Sequence, residues 1–188
     1  HDLRDIDTCP ILVPALANAT AVAREAARLC GDCDVSLTAT ATGLDVDIRP
    51  KRKTDPKRLS LIGQAFDLAR VALDGELVWQ SRAPVVTMGK AIVPLPTRGF
   101  LQATDAAEDV LANLVGEAVG KARHVLDLFC GVGPFALRLA ERSKVTAADS
   151  DSVACAALRA AANTTQGLKP ITPLARDLFR NPFAAPAE

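Results

Sequence analysis

The run Val125-Leu126-Asp127-Leu128-Phe129-Cys130-Gly131-Val132-Gly133-Pro134-Phe135 constrains this chain more than any other segment. Within eleven residues an apolar strand gives way to a glycine turn and then to a helix start. Pro134 suits the first helical position, where its missing amide donor costs nothing. A second apolar run, Lys144-Val145-Thr146-Ala147-Ala148, ends on Asp149, eighteen residues beyond Gly131. Strand, glycine turn, helix, strand and terminal acid form the layout of a nucleoside-binding βαβ unit. The glycines let backbone approach a ligand that a Cβ would block. A carboxylate at the tip of the second strand can accept hydrogen bonds from both hydroxyls of a ribose.

The third glycine of a dinucleotide fingerprint is absent, and Phe135 stands near its place. Less glycine favours a nucleoside ligand without a pyrophosphate, S-adenosylmethionine rather than NAD. The helix start contributes unpaired amide donors and a weakly positive end beside the turn.

Around this unit the chain divides in two. Residues 1–97 read as an α+β domain. Its elements are a helix from Pro14 to Cys30, a hairpin over Val35 to Ile48 and a second amphipathic helix from Pro56 to Leu73. Strand-like runs follow at Glu76–Gln80, Pro84–Met88 and Ala91–Leu95. In the hairpin Leu44, Val46 and Ile48 alternate with Asp45, Asp47 and Arg49. Pro94, Pro96 and Gly99 punctuate a boundary. Residues 98–188 then alternate helix and strand. A helix capped by Thr104 runs to Val119, with Val110, Leu111, Leu114, Ala118 and Val119 as its apolar stripe. Strand Val125–Phe129, helix Pro134–Arg142, strand Val145–Asp149, helix Asp151–Asn163 and a short strand at Ile171–Leu174 follow. Such alternation implies a parallel sheet. The fold class is therefore α/β, an α+β domain followed by a partial Rossmann-like domain of three parallel strands.

Several classes are disfavoured. Acidic and basic residues balance at 22 each, so nucleic-acid affinity would have to come from a local patch. Five cysteines, an odd number, with no signal-like segment, point to a reducing, cytoplasmic setting. No apolar run is long enough to span a membrane. The chain opens on His1 and stops at Glu188 soon after its third parallel strand, so it reads as part of a longer protein.

Phe100-Leu101-Gln102, the Asp127–Gly133 segment, Asp149 and Arg176-Asp177-Leu178-Phe179 together resemble the bacterial S-adenosylmethionine-dependent RNA uracil-C5 methyltransferases, which make 5-methyluridine in rRNA or tRNA. Asp7-Thr8-Cys9-Pro10-Ile11-Leu12 is similar to the segment that opens that family's central domain. The resemblance implies a class I methyltransferase domain with a cofactor-binding set of Gln102, Asp127, Phe129, Gly131, Gly133, Asp149 and Asp177. In it Gln102 would bond the methionine end, Phe129 and the Gly131 and Gly133 backbone would line the cofactor's path, Asp149 would take the ribose, and Asp177 would lie near the adenine edge. Taken singly, Gln102 suits a surface or cap, Asp177 a loop, and Phe129 the core.

The same resemblance implies a cysteine that adds to C6 of uracil and a carboxylate that removes the C5 proton. The family's Cys-Asn-Pro and Asp-Pro-Pro or Asp-Pro-Ala segments do not occur in this sequence. No residue is therefore assigned as catalytic, and the chain by itself is expected to be inert. Cys130 is not a substitute, since a cysteine in that turn suits a small buried hydrophobe. Cys9 matches one of four ligands to an iron–sulfur cluster found in many family members. The other three have no match here, so a cluster could exist only in the parent protein. Cys30-Gly31-Asp32-Cys33 lacks a second pair for zinc, Cys155 suits helix packing, and His124 suits a cap or surface position.

The expected partner is RNA. Arg49, Lys51, Arg52, Lys53, Lys57 and Arg58 cluster within ten residues and could meet phosphates, while a solvated loop explains them equally well. Two rivals remain open at this point. One is a methyltransferase of another substrate class; the other is a non-catalytic cofactor-binding scaffold.

Overall fold

Residues 4–183 are described by a computed structural model, in which two units separate between Val85 and Val86. In the first, a 3-10 turn at Pro14–Leu16 precedes α1 (Ala19–Cys30), where the sequence suggested one continuous helix. The turn closes on itself through the Ala17 amide to the Pro14 carbonyl, and Asn18 takes the cap position. Gly31, at φ 76°, ends α1 and allows an immediate turn into β1 (Cys33–Thr40), which pairs antiparallel with β2 (Gly43–Pro50).

The second helix, α2 (Pro56–Ala65), is capped by Asp55, whose carboxylate accepts from the Lys57 amide. It stops well short of the Leu73 that its periodicity suggested. Asp67, at φ 46°, breaks the helical path. Residues 70–73 become β3 (Arg70–Leu73), parallel to β2, and Asp74-Gly75 turns the chain into antiparallel β4 (Glu76–Gln80). A strand bonded on both sides outweighs the helical pattern of those four residues. The sheet order is β1-β2-β3-β4. Val22 and Ala26 of α1 and Leu59 and Ile62 of α2 bury against Val46, Ile48 and Val71.

The polar face of β2 is not solvated, as simple alternation would have it. Asp45 and Asp47 are each only 8% exposed. Asp45 receives a two-pronged bond from Arg70, Nε to Oδ1 at 2.8 Å and Nη2 to Oδ2 at 2.6 Å. Asp47 accepts from the Gly75 amide at 2.8 Å.

The hairpin β5 (Val85–Met88) and β6 (Ala91–Pro94) straddles the division. Met88, Ala91 and Val93 bury in the second core, so the hairpin sits with the second unit, ahead of the proline-rich boundary near residue 97. Then come α3 (Asp105–Val119), β7 (His124–Leu128), α4 (Pro134–Leu139), β8 (Lys144–Asp149), α5 (Ser152–Thr164) and β9 (Ile171–Ala175). The three strands are parallel in the order β7-β8-β9, the alternating architecture expected from the sequence.

One helix face differs from expectation. On α3 the buried residues are Glu108, Ala112 and Gly116, while Val110, Leu111 and Leu114 lie exposed. Arg138 of α4 explains the inversion: it bonds Glu108 at 2.8 Å, Asp109 at 2.6 Å and the Pro134 carbonyl at 2.9 Å. Arg142 reaches the Gly116 carbonyl at 2.7 Å, lying where a Cβ on residue 116 would clash. Polar pairing to α4, not the apolar stripe, fixes how α3 is turned. Among the described residues no helix is long and apolar enough to cross a membrane.

Candidate functional site

The glycine turn joins β7 to α4 beside the tip of β8. Phe129, Gly131 and Gly133 all have positive φ, 58°, 52° and 94°. The Gly133 amide closes the turn on the Cys130 carbonyl at 2.9 Å, and the Cys130 amide pins it to Ala148 of β8 at 3.1 Å. Gly133 then caps α4, with Pro134 at its first position.

The two glycines serve different ends. A Cβ on Gly131 would meet nothing within 4 Å, so that side of the turn is open. A Cβ on Gly133 would lie 2.4 Å from Leu158 Cδ1, a fully buried side chain of α5. Gly133 is therefore required by the packing of the turn onto α5, and its bare side faces protein rather than open space.

Asp149 and Gly131 meet directly. The Gly131 amide donates to Asp149 Oδ2 at 2.8 Å, and the Asp151 amide donates to Oδ1 at 2.9 Å. Both oxygens are oriented by backbone, and each keeps a lone pair for a further donor. At the next strand tip the Arg176 amide donates to the Asp149 carbonyl at 2.7 Å, carrying β9 alongside β8.

Asp127 approaches the same region from the end of β7. Burial raises its pKa to about 6, against the opposing effect of the Ala136 backbone amide in the first turn of α4, with the Asp149 charge adding to the rise. Its Oδ2 is shielded from water and has no hydrogen-bond partner among the described residues. A buried carboxylate oxygen without a donor is costly, and a donor arriving on a ligand would relieve it.

Phe129 is not core. It is 59% exposed, in a left-handed conformation that phenylalanine rarely adopts, and its ring lies 5.5 Å from that of Phe179, itself 88% exposed. Sequence reasoning gave Phe179 no role of its own, although it closes the Arg176-Asp177-Leu178-Phe179 segment that carries the resemblance. Asp177 is exposed and organises that loop, its Oδ1 accepting from the Phe179 and Arg180 amides at 3.0 and 3.1 Å. Gln102 lies half-buried in the segment before α3, and its side chain has no hydrogen bond among the described residues.

The structure thus joins Gly131, Asp149 and Asp127 through bonds and charge, and links Phe129 to the Asp177 loop through Phe179. Among the described residues no hydrogen bond joins Gln102 to this group. The ensemble offers oriented carboxylate acceptors, a buried unpaired oxygen and an open backbone edge, which suit a ligand carrying hydroxyls and a positive charge.

The cysteines fit no chemistry here. Burial, reinforced by neighbouring Cys155, holds Cys130 as a thiol far above the usual range, with its Sγ directed at the Gly131 carbonyl. Cys155 is buried against the Asp149 and Leu174 carbonyls, and burial again raises its pKa. Cys9 is free and half-buried, and among the described residues no three His, Cys, Asp or Glu side chains converge as a metal site would require. One thiolate does not fit an iron–sulfur cluster, which usually takes four.

Comparison with known proteins supplies the context. No protein-family model matches the chain. Over 97% of its length it is 41% identical to an uncharacterized RNA methyltransferase of Brucella melitensis, of which it covers 46%. It is 28% identical over 95% of its length to the 23S rRNA (uracil(1939)-C(5))-methyltransferase RlmD of Halomonas elongata, covering 41% of that protein. Among solved structures, the Pyrococcus abyssi tRNA (uracil-54, C5)-methyltransferase in complex with S-adenosyl-L-homocysteine superposes with a TM-score of 0.68 at 17% identity. The match covers 92% of this chain and 49% of that one, and it shows a shared fold. The chain spans about half the length of the curated relatives it matches.

Proposed function

From the premise that this chain is homologous, over nearly its whole length, to proteins named RNA methyltransferases, we propose that the protein containing it transfers a methyl group from S-adenosylmethionine to C5 of uridine in RNA. Residues 98–188 form the nucleoside-holding half of its cofactor domain in this reading. The observation that carries it is the Gly131–Asp149 contact at the tips of β7 and β8, with open space beside the glycine.

Each residue has work suited to its chemistry. Asp149, held by two backbone amides, accepts from the ribose hydroxyls through its remaining lone pairs. Gly131 leaves room for the sugar. Asp127 supplies a buried anion and a free acceptor to the positively charged methionine portion, where Gln102 adds an amide that both donates and accepts. Phe129 walls the cofactor's path and Asp177 the adenine edge. When bound, the cofactor supplies an electrophilic methyl on a sulfonium. No residue of this chain is assigned as the nucleophile toward uracil or as the base, so the chain alone holds cofactor without turnover.

Calorimetry with S-adenosylhomocysteine tests the reading. Losing hydrogen bonds to a charged group costs about 1.5–3 kcal/mol, so Asp149→Ala should weaken binding by at least tenfold. Equal affinity in the variant would remove Asp149 from the site and the methyl-donor assignment with it.

A further inference from the structure

The segment joining β2 to α2 concentrates positive charge in a chain whose net charge is zero. Six cations lie between Arg49 and Arg58, and the one acid among them, Asp55, is occupied as the cap of α2. Two of the six have partners: Arg49 lies 3.9 Å from Asp47, and Lys51 lies 3.0 Å from Asp32. The other four, Arg52, Lys53, Lys57 and Arg58, are exposed and have no ion pair or side-chain hydrogen bond among the described residues.

Their placement is electrostatically unfavourable for the protein alone. Lys57 and Arg58 occupy the first turn of α2, the end of a helix that repels cations and favours acids, and that turn holds no acid. Arg52 and Lys53 add like charge just before it. Among the described residues no acid pairs with these four cations, whereas Asp45, Asp47, Glu108 and Arg138 are all satisfied by neighbours. The loop is also well anchored. The Lys51 amide bonds the Asp32 carbonyl at 2.9 Å, and Leu59 and Ile62 of α2 are fully buried. A rigid base carrying unpaired cations and the positive end of a helix fits an extended polyanion. No aromatic residue occurs between Arg49 and Ala65, so bases have nothing to stack on and contact would be with the backbone.

We propose that Arg52, Lys53, Lys57, Arg58 and the start of α2 form a docking surface for the phosphate backbone of RNA, contributing sequence-blind, salt-dependent affinity. This rests on the reading of RNA as the substrate. Removing one cation–phosphate pair should reduce the log–log salt slope by about 0.7 for single strands or about 0.9 for duplex.

The experiment is fluorescence anisotropy of labelled single-stranded and hairpin RNA with the full chain, from 50 to 300 mM salt, using the quadruple alanine variant of these residues. The expected result is at least a tenfold loss of affinity near 100 mM salt and a slope lower by about 3. Arginine in place of Lys53 and Lys57 should retain binding, and Lys121→Ala with Arg123→Ala should leave it unchanged. Equal affinity and slope in the quadruple variant, with RNA bound by the wild type, would overturn the docking surface and leave the proposed activity standing. So would phosphatidylserine vesicles captured as tightly as RNA. Failure of the activity reading shows separately, as a wild type that binds neither S-adenosylhomocysteine nor RNA.

Discussion

Two carboxylates with shielded oxygens, one in each unit, meet opposite fates. Asp45 is enclosed in the first unit and answered in full by the two-pronged guanidinium of Arg70, itself 7% exposed. Asp127 is half-buried in the second, answered in part by the amide of Ala136, and its shielded Oδ2 has no partner among the described residues. A fold that can supply a bidentate arginine in one place has no structural need to leave an acid short in another. The difference separates charge used to hold strands together from charge kept for something that arrives.

The largest effect that could break this contrast is in the first unit. Arg70→Ala leaves Asp45 buried beside β3 without its cation and should destabilise that unit by about 3–5 kcal/mol in denaturant titrations. The double change to Asp45→Leu and Arg70→Met should recover most of the loss, because removing both charges also removes the burial penalty. A mild effect of Arg70→Ala alone would mean that the pair is not architectural.

Asp127 should behave in the opposite sense. Its folded pKa, about 6, lies above the ordinary 3.8, so folding penalises the ionised form. Stability from this group is greatest below pH 4, falls as pH rises through the window from about 4 to 6, and is level above it. The full change is on the order of 3 kcal/mol. Asp127→Asn should flatten that part of the pH–stability profile. If the carboxylate meets a positively charged ligand group, S-adenosylmethionine should bind more tightly at pH 7.5 than at pH 5, with proton release near pH 6.

The two turn glycines sharpen the comparison at smaller scale. Gly133→Ala forces a methyl against Leu158 at a left-handed position and should cost about 2–3 kcal/mol. Gly131→Ala meets open space, so only the backbone term of about 1 kcal/mol remains. A larger stability loss at residue 131 than at residue 133 would reverse the roles given to the two positions. The variant at 131 should instead show its main loss in S-adenosylhomocysteine affinity.

What the sequence disclosed follows from where information is local. The βαβ core was legible because strand, glycine turn and second strand each carry their signals within a few residues, as does Thr104 as the cap of the helix before them; Asp151, read as the first residue of its helix, is its cap. The errors came where a distant partner decides. Residues 70–73 continue a helical period, but two neighbouring strands claim them. Asp45 and Asp47 look solvent-facing, because nothing near them announces Arg70 or the Gly75 amide. The apolar stripe of α3 looks buried until Arg138, some thirty residues on, turns the helix over. Of the site, Asp149 and Gly131 could be paired from spacing alone, whereas the exposure of Phe129 and its contact with Phe179 depend on a backbone twist that no composition reveals.

The hydrogen bond from Gly131 to Asp149 is made wholly between atoms of the chain itself. A turn wired in advance loses little freedom on capture, so recognition here should resemble a key entering a finished lock rather than a hand closing. That one amide proton offers a direct gauge: in deuterium exchange it should already be slow in the empty protein, and occupancy should retard it only modestly.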